Sequence, residues 1–102
     1  MALYIFWTST ARRQRTDIFK YWNKKNGSTD YSRKVKEQVA FRLEQLAVYP
    51  EAGKETDFTN TRVTALGHFS IFYQITKDKL VVTCFWDNRN DPGIIKDLLD
   101  KN

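Results

Sequence analysis

Three β-prone runs follow one another between Thr61 and Trp86 with almost no chain between them. They are Thr61 to Leu66, then His68 to Thr76 after the punctuation of Gly67, then Leu80 to Trp86 after Lys77-Asp78-Lys79. Links this short reverse the chain, because a parallel neighbour needs a crossover of a dozen or more residues. The run therefore predicts an antiparallel meander. In its middle strand Phe69, Ile71, Tyr73 and Ile75 alternate with His68, Ser70, Phe72 and Gln74, so the first set reads as the core side.

The preceding half supplies what a sheet face needs for cover. Ala2 to Trp7 reads as a short strand. Thr8-Ser9-Thr10 offers N-cap hydroxyls to a helix running from Ala11 to Asn23. On that helix Ala11, Ile18 and Trp22 share one face, with Tyr21 beside them, and Arg12, Arg13, Arg15 and Lys20 take the other. Lys24-Lys25-Asn26-Gly27-Ser28 ends it, Gly27 being free to adopt the left-handed conformation that helix ends favour. A second helix is expected from about Tyr31 to Tyr49. Its Val35, Val39, Leu43 and Leu46 make an amphipathic stripe, and Pro50 stops it. The short loop predicts an antiparallel helical pair. Glu51 to Asn60 is polar and reads as a loop. Asp91-Pro92 looks like the start of a last helix with Ile94, Ile95, Leu98 and Leu99 on its apolar face. The expected class is α+β in the order β-α-α-β-β-β-α, a mainly antiparallel sheet covered on one face by the helical pair.

A chain of 102 residues fits one domain, 1–102. Apolar residues at 41% and aromatics at 15% exclude a disordered tail. The lone cysteine, Cys84, excludes an internal disulfide and a multi-cysteine zinc site. One His and one Cys are too few soft ligands for a metal enzyme, and no phosphate-binding glycine loop is present, so no cofactor is expected. The N-terminus has no basic, signal-like start and no stretch is long enough to span a membrane. A cytoplasmic location without a membrane partner is the expectation. The net charge of +5, from 17 Lys and Arg against 12 Asp and Glu, favours phosphate-rich or acidic partners.

Polar groups gather around the strands. Arg62 lies in the first strand of the meander, His68 opens the second, and Asp87 and Arg89 follow the third; Lys54 lies in the loop before them. Such a set suits cleavage of RNA. A 2′-hydroxyl needs a base, the departing 5′-oxygen an acid, and the phosphorane between them positive charge. His68 or Asp87 would carry protons; Arg62, Arg89 and, as a substrate contact, Lys54 would supply charge. The same residues also suit a plainer role. His68 would then be a polar edge residue, and Arg62 and Arg89 would pair with Asp57, Asp87 or Asp91 at the surface.

Several of these segments resemble the RelE/ParE toxins. They are Trp7-Thr8-x-x-Ala11 before a helix, the helical pair ending in Leu46-x-x-x-Pro50, Arg62-Val63-x-x-Leu66-Gly67-His68-Phe69-Ser70-Ile71-Phe72-Tyr73, and Trp86-Asp87-Asn88-Arg89-Asn90-Asp91-Pro92. The similarity covers nearly the whole chain. It implies the toxin of a type II toxin–antitoxin pair, held inactive by a cognate antitoxin that wraps it. RelE-like members cut mRNA on the ribosome, which is the first functional expectation. ParE-like members instead inhibit DNA gyrase, and a non-toxic interaction domain could keep the same fold. Ser70 stands where many of the mRNA-cleaving members have an arginine, and Asp87 where many have a histidine. Losing that arginine removes a planar phosphate-binding fork that serine does not replace.

Overall fold

The computed structural model describes residues 2–89. The chain begins with β1 (Tyr4–Trp7), followed by two long helices, α1 (Ser9–Asn26) and α2 (Asp30–Val48). A 3-10 turn over Pro50–Ala52 leads into β2 (Lys54–Glu55), β3 (Arg62–Leu66), β4 (Phe69–Thr76) and β5 (Lys79–Asp87). The expected α+β order is present, with one addition. The segment read as a loop contributes the two-residue strand β2, which pairs antiparallel with β3. The helix expected after Asp91 lies outside the described residues.

The helix boundaries follow from their caps. The Thr8 hydroxyl accepts the Ala11 N–H at 3.1 Å and starts α1. Gly27, at φ +64°, closes it by donating its N–H to the Asn23 carbonyl. Lys24 and Lys25 in the last turn sit where the helix dipole favours cations. In α2 the residues Val35, Val39, Leu43 and Leu46 are buried, the stripe that the sequence spacing predicts.

The sheet order is β1-β5-β4-β3-β2. β3, β4 and β5 form the antiparallel meander. β1 lies parallel to β5, Trp7 opposite Val82, and is one edge of the sheet. Both helices contribute to a core against one sheet face. Ala11 and Phe19 from α1 and the α2 stripe meet Phe69, Ile71, Tyr73, Leu80, Val82 and Phe85. Truncating one of these large side chains to alanine costs about 2–5 kcal/mol, since the close-packed surroundings relax only in part.

A bulge interrupts the β4–β5 ladder. Tyr73 opposes Val82 while Phe72 opposes Cys84, so Thr83 is an extra residue in β5. Its hydroxyl donates to the Phe72 carbonyl at 3.3 Å. The extra residue reverses the alternation. Leu80 and Val82 face the helices before it; Phe85 and Asp87 face them after it. Without the bulge, Trp86 rather than Asp87 would point at the helices.

Candidate functional site

The bulge delivers Asp87 to the junction of β5 with α1, where it is 4% exposed. Both carboxylate oxygens are fully engaged. Oδ1 accepts the Arg89 N–H at 3.0 Å and Arg89 Nε at 2.8 Å. Oδ2 accepts Arg89 Nη2 at 2.8 Å and Trp22 Nε1 at 3.0 Å. Four donors use the roughly four lone-pair sites that a carboxylate offers. Burial by itself would raise the Asp87 carboxyl, but the Arg89 side-chain and backbone hydrogen bonds, the Trp22 bond and the Arg89 charge outweigh it. They hold the group below the usual carboxylate range.

The Arg89 guanidinium also lies over the Trp22 ring, 3.8 Å from its centre, and 5.7 Å from that of Phe69. Its hydrogen bond to Asp87 raises its already high pKa, against a smaller opposing effect of burial, and Tyr31 adds to the rise. Trp22 and Tyr31 meet edge to face at 5.7 Å. The group is thus a clasp joining the end of β5 to both helices. Trp22 and Tyr31 are members that the sequence reading did not assign to a site. Their positions on helical faces mark them as apolar contacts and say nothing of a carboxylate brought from 65 residues away.

His68 stands at the same end of the sheet. Its side chain is exposed in the β3–β4 turn, and its carbonyl accepts the Asn88 N–H at 2.7 Å. On the sheet face away from the helices, Ser70 Oγ bonds Asn88 Oδ1 at 2.8 Å. Arg62 and Lys54 lie at the opposite end. Arg62 opposes Tyr73, whereas Asp87 opposes Phe69, four residues further along β4. Four residues of strand is about 13 Å. The structure therefore brings His68, Asp87 and Arg89 to one end of the sheet and leaves Arg62 and Lys54 at the other.

Arg62 has structural partners where it stands. Its Nη1 donates to the Gly53 carbonyl at 2.8 Å and the Glu51 carbonyl at 3.3 Å, and Nη2 reaches Glu55 Oε1 at 3.3 Å. These bonds tie the segment after the helical pair to β3. The Tyr73 hydroxyl ties the same segment to β4. It donates to the Pro50 carbonyl at 2.8 Å and accepts the Gly53 N–H at 3.0 Å. Burial raises the Tyr73 pKa, and the Gly53 bond and the Arg62 charge oppose that rise. Lys54 is exposed on β2. Cys84 is 1% exposed, and burial pushes its thiol up to about 11, Gln14 opposing. A thiol that is neutral and buried is a poor nucleophile.

A second feature lies on the other flank of the helical pair. A cleft of about 600 Å³ runs between α1, α2 and β1, with Trp7, Phe19, Val39 and Leu43 in its apolar floor and Arg15, Lys20 and Lys36 at its walls. Ile5 and Trp7 of the edge strand line it, while Tyr4 and Phe6, which alternate with them onto the other sheet face, are 70% and 51% exposed. Among the described residues no helix is long and apolar enough to cross a membrane.

Comparison with solved structures places the same architecture in one from a "Chromosomal ParDE TA system from P. aeruginosa". The TM-score is 0.70 at 15% sequence identity, over 82% of this chain and 94% of that one. A comparison with curated protein sequences finds no match. The family model described as "ParE toxin of type II toxin-antitoxin system, parDE" matches residues 5–92, which spans β1 through the clasp. The chain belongs to the ParE toxin family of type II toxin–antitoxin systems.

Proposed function

We propose that this protein is a toxin that acts by binding rather than by cleavage, that its target is DNA gyrase, and that a cognate antitoxin silences it. The observation that carries the reading is the engagement of Asp87. A general base must have a free lone pair within reach of the proton it takes, and a pKa near the working pH. Asp87 spends its lone pairs on Trp22 and Arg89 and is held below the ordinary range. Arg62, the cation expected to stabilise a phosphorane, is bonded to backbone carbonyls at the far end of the sheet. Cleavage of mRNA, the first expectation from sequence, would need Asp87 and Arg62 released, or would rest on the exposed His68 and Lys54, which stand at opposite ends of the sheet.

The antitoxin belongs on the exposed apolar edge of β1 and the adjoining cleft. An uncovered apolar edge strand is an aggregation hazard that a partner removes by pairing with it. The basic walls of the cleft favour an acidic segment with apolar anchors.

Two assays test the reading together. Purified protein is added to gyrase and relaxed plasmid, and RNA 5′ ends are mapped in cells after inducing this chain alone. Loss of supercoiling without new RNA ends is the expected result. New ends at fixed positions within translated codons, with supercoiling intact, would restore the nuclease reading.

A further inference from the structure

The excess charge of this protein is confined to one helix. α1 carries Arg12, Arg13, Arg15, Lys20, Lys24 and Lys25 against the single carboxylate of Asp17. Those are six of the chain's 17 cations and one of its 12 acids, which leaves eleven of each elsewhere. The rest of the molecule is therefore formally neutral, and the +5 belongs to α1. The ion pairs among the described residues are Arg33–Asp30, Arg62–Glu55 and Arg89–Asp87, none of them on α1.

The placement of these cations separates them by role. Arg15 is half-buried, with its guanidinium over the Trp7 ring at 4.4 Å, and it packs against the cleft. Arg12, Arg13, Lys20, Lys24 and Lys25 are exposed. Arg13, Lys20 and Lys24 follow one line on the outer helix face, with Asp17 between the first two. Eleven residues of helix span about 16 Å, the reach of several successive phosphates along a nucleic-acid strand.

We propose that this outer face of α1 is a docking surface for duplex DNA, gripped through its phosphate backbone. The inference rests on the gyrase reading for the source of the duplex, since gyrase holds DNA. What favours a polyanion over an acidic protein is the lack of anchors. Of the exposed α1 side chains only Tyr21 is apolar. A protein interface needs a desolvated apolar centre, whereas phosphate contacts need only positive charge. The exposed apolar groups Tyr4, Phe6, Phe41 and Tyr49 lie on β1, on α2 and just after α2, so the surface suited to a protein partner is centred elsewhere and meets this face only at Lys20, on the rim of the cleft.

The test measures binding of the full-length chain to a fluorescent 30-base-pair duplex, by anisotropy at several salt concentrations. Binding should weaken steeply with salt. The combined change Arg13→Gln, Lys20→Gln and Lys24→Gln should lower affinity at least about tenfold and flatten the log–log salt slope by about three. Asp17→Asn should tighten binding. An equal loss of charge elsewhere, through Arg33→Gln, Lys34→Gln and Lys77→Gln, should change it little. Equal effects of the two triple variants, or binding to polyglutamate but not to the duplex, would overturn the proposal. Supercoiling inhibition by the wild-type chain is read in parallel. Inhibition without DNA binding sinks this inference alone, and DNA binding without inhibition sinks the gyrase reading alone.

Discussion

Arg89 grips the carboxylate of Asp87, two residues earlier, side-on: Nε to Oδ1 and Nη2 to Oδ2, both at 2.8 Å. The Arg89 side chain is only partly buried, while Asp87 is almost wholly enclosed. Replacing the Asp87 carboxylate by an amide therefore weakens the grip of Arg89, which water can rescue in part, and leaves one oxygen for the four donors, Trp22 Nε1 among them, that now share two.

Asp87→Asn should destabilise the fold by about 2–3 kcal/mol, less than a fully buried pair would because Arg89 is partly solvated. The pH dependence follows from the depressed carboxyl. A group that ionises more readily folded than unfolded adds stability above its unfolded pKa of about 3.9. That contribution is lost as pH falls through the folded value. Urea unfolding of wild type and variant between pH 7 and pH 3 should show a gap that is constant at first and closes at the acid end. A gap that stays constant throughout would mean that the clasp does not hold the proton off Asp87. Trp22→Phe should cost about 2 kcal/mol and be non-additive with Asp87→Asn, since both remove the same bond.

At Gly53 there is no room for a side chain. An added Cβ would collide with the Tyr73 hydroxyl and come within 2.7 Å of its Cζ. Gly53→Ala should lower stability by about 1–3 kcal/mol through overpacking. Tyr73→Phe should also destabilise, by leaving the Gly53 N–H and the Pro50 carbonyl unpaired. Thermal melts of the double variant should show less than the sum, because the phenyl ring lacks the atom that the new methyl meets first. Strict additivity would refute this account of the loop.

The Cys84 thiol, with its pKa near 11 and its 1% exposure, should resist alkylation. At pH 8 iodoacetamide should label the native protein at least about two orders of magnitude more slowly than the urea-unfolded chain. Rapid native labelling would show that β5 opens beside the bulge at low cost.

Phe6→Lys places a charge on the exposed apolar edge of β1. It should leave the melting temperature within a few degrees of wild type, because Phe6 is half exposed and outside the core. It should weaken capture by the cognate antitoxin at least about tenfold. Unchanged capture, measured by titration calorimetry, would move the antitoxin off this edge.

Much of this architecture is written in local patterns. Thr8 and Gly27 mark the ends of α1, the Val35–Val39–Leu43–Leu46 stripe sets the inner face of α2, and the two short links force β3, β4 and β5 into a meander. Alternation along β4 identifies Phe69, Ile71 and Tyr73 as core. These features are legible because helix and strand periods fix a face from neighbouring residues alone. The site is not legible in this way. The extra Thr83 turns Asp87 inward, and nothing near it in sequence announces a bulge. That one-residue shift is decided by Phe85 packing against Trp7, Phe19 and Phe69, and by Trp22 offering its N–H to Asp87. Likewise Arg62 reads as a phosphate-binding cation or as a partner for a surface aspartate until the Pro50–Gly53 segment folds back and presents its carbonyls. Register and long-range partners depend on which distant surfaces meet, and only the folded chain brings them together.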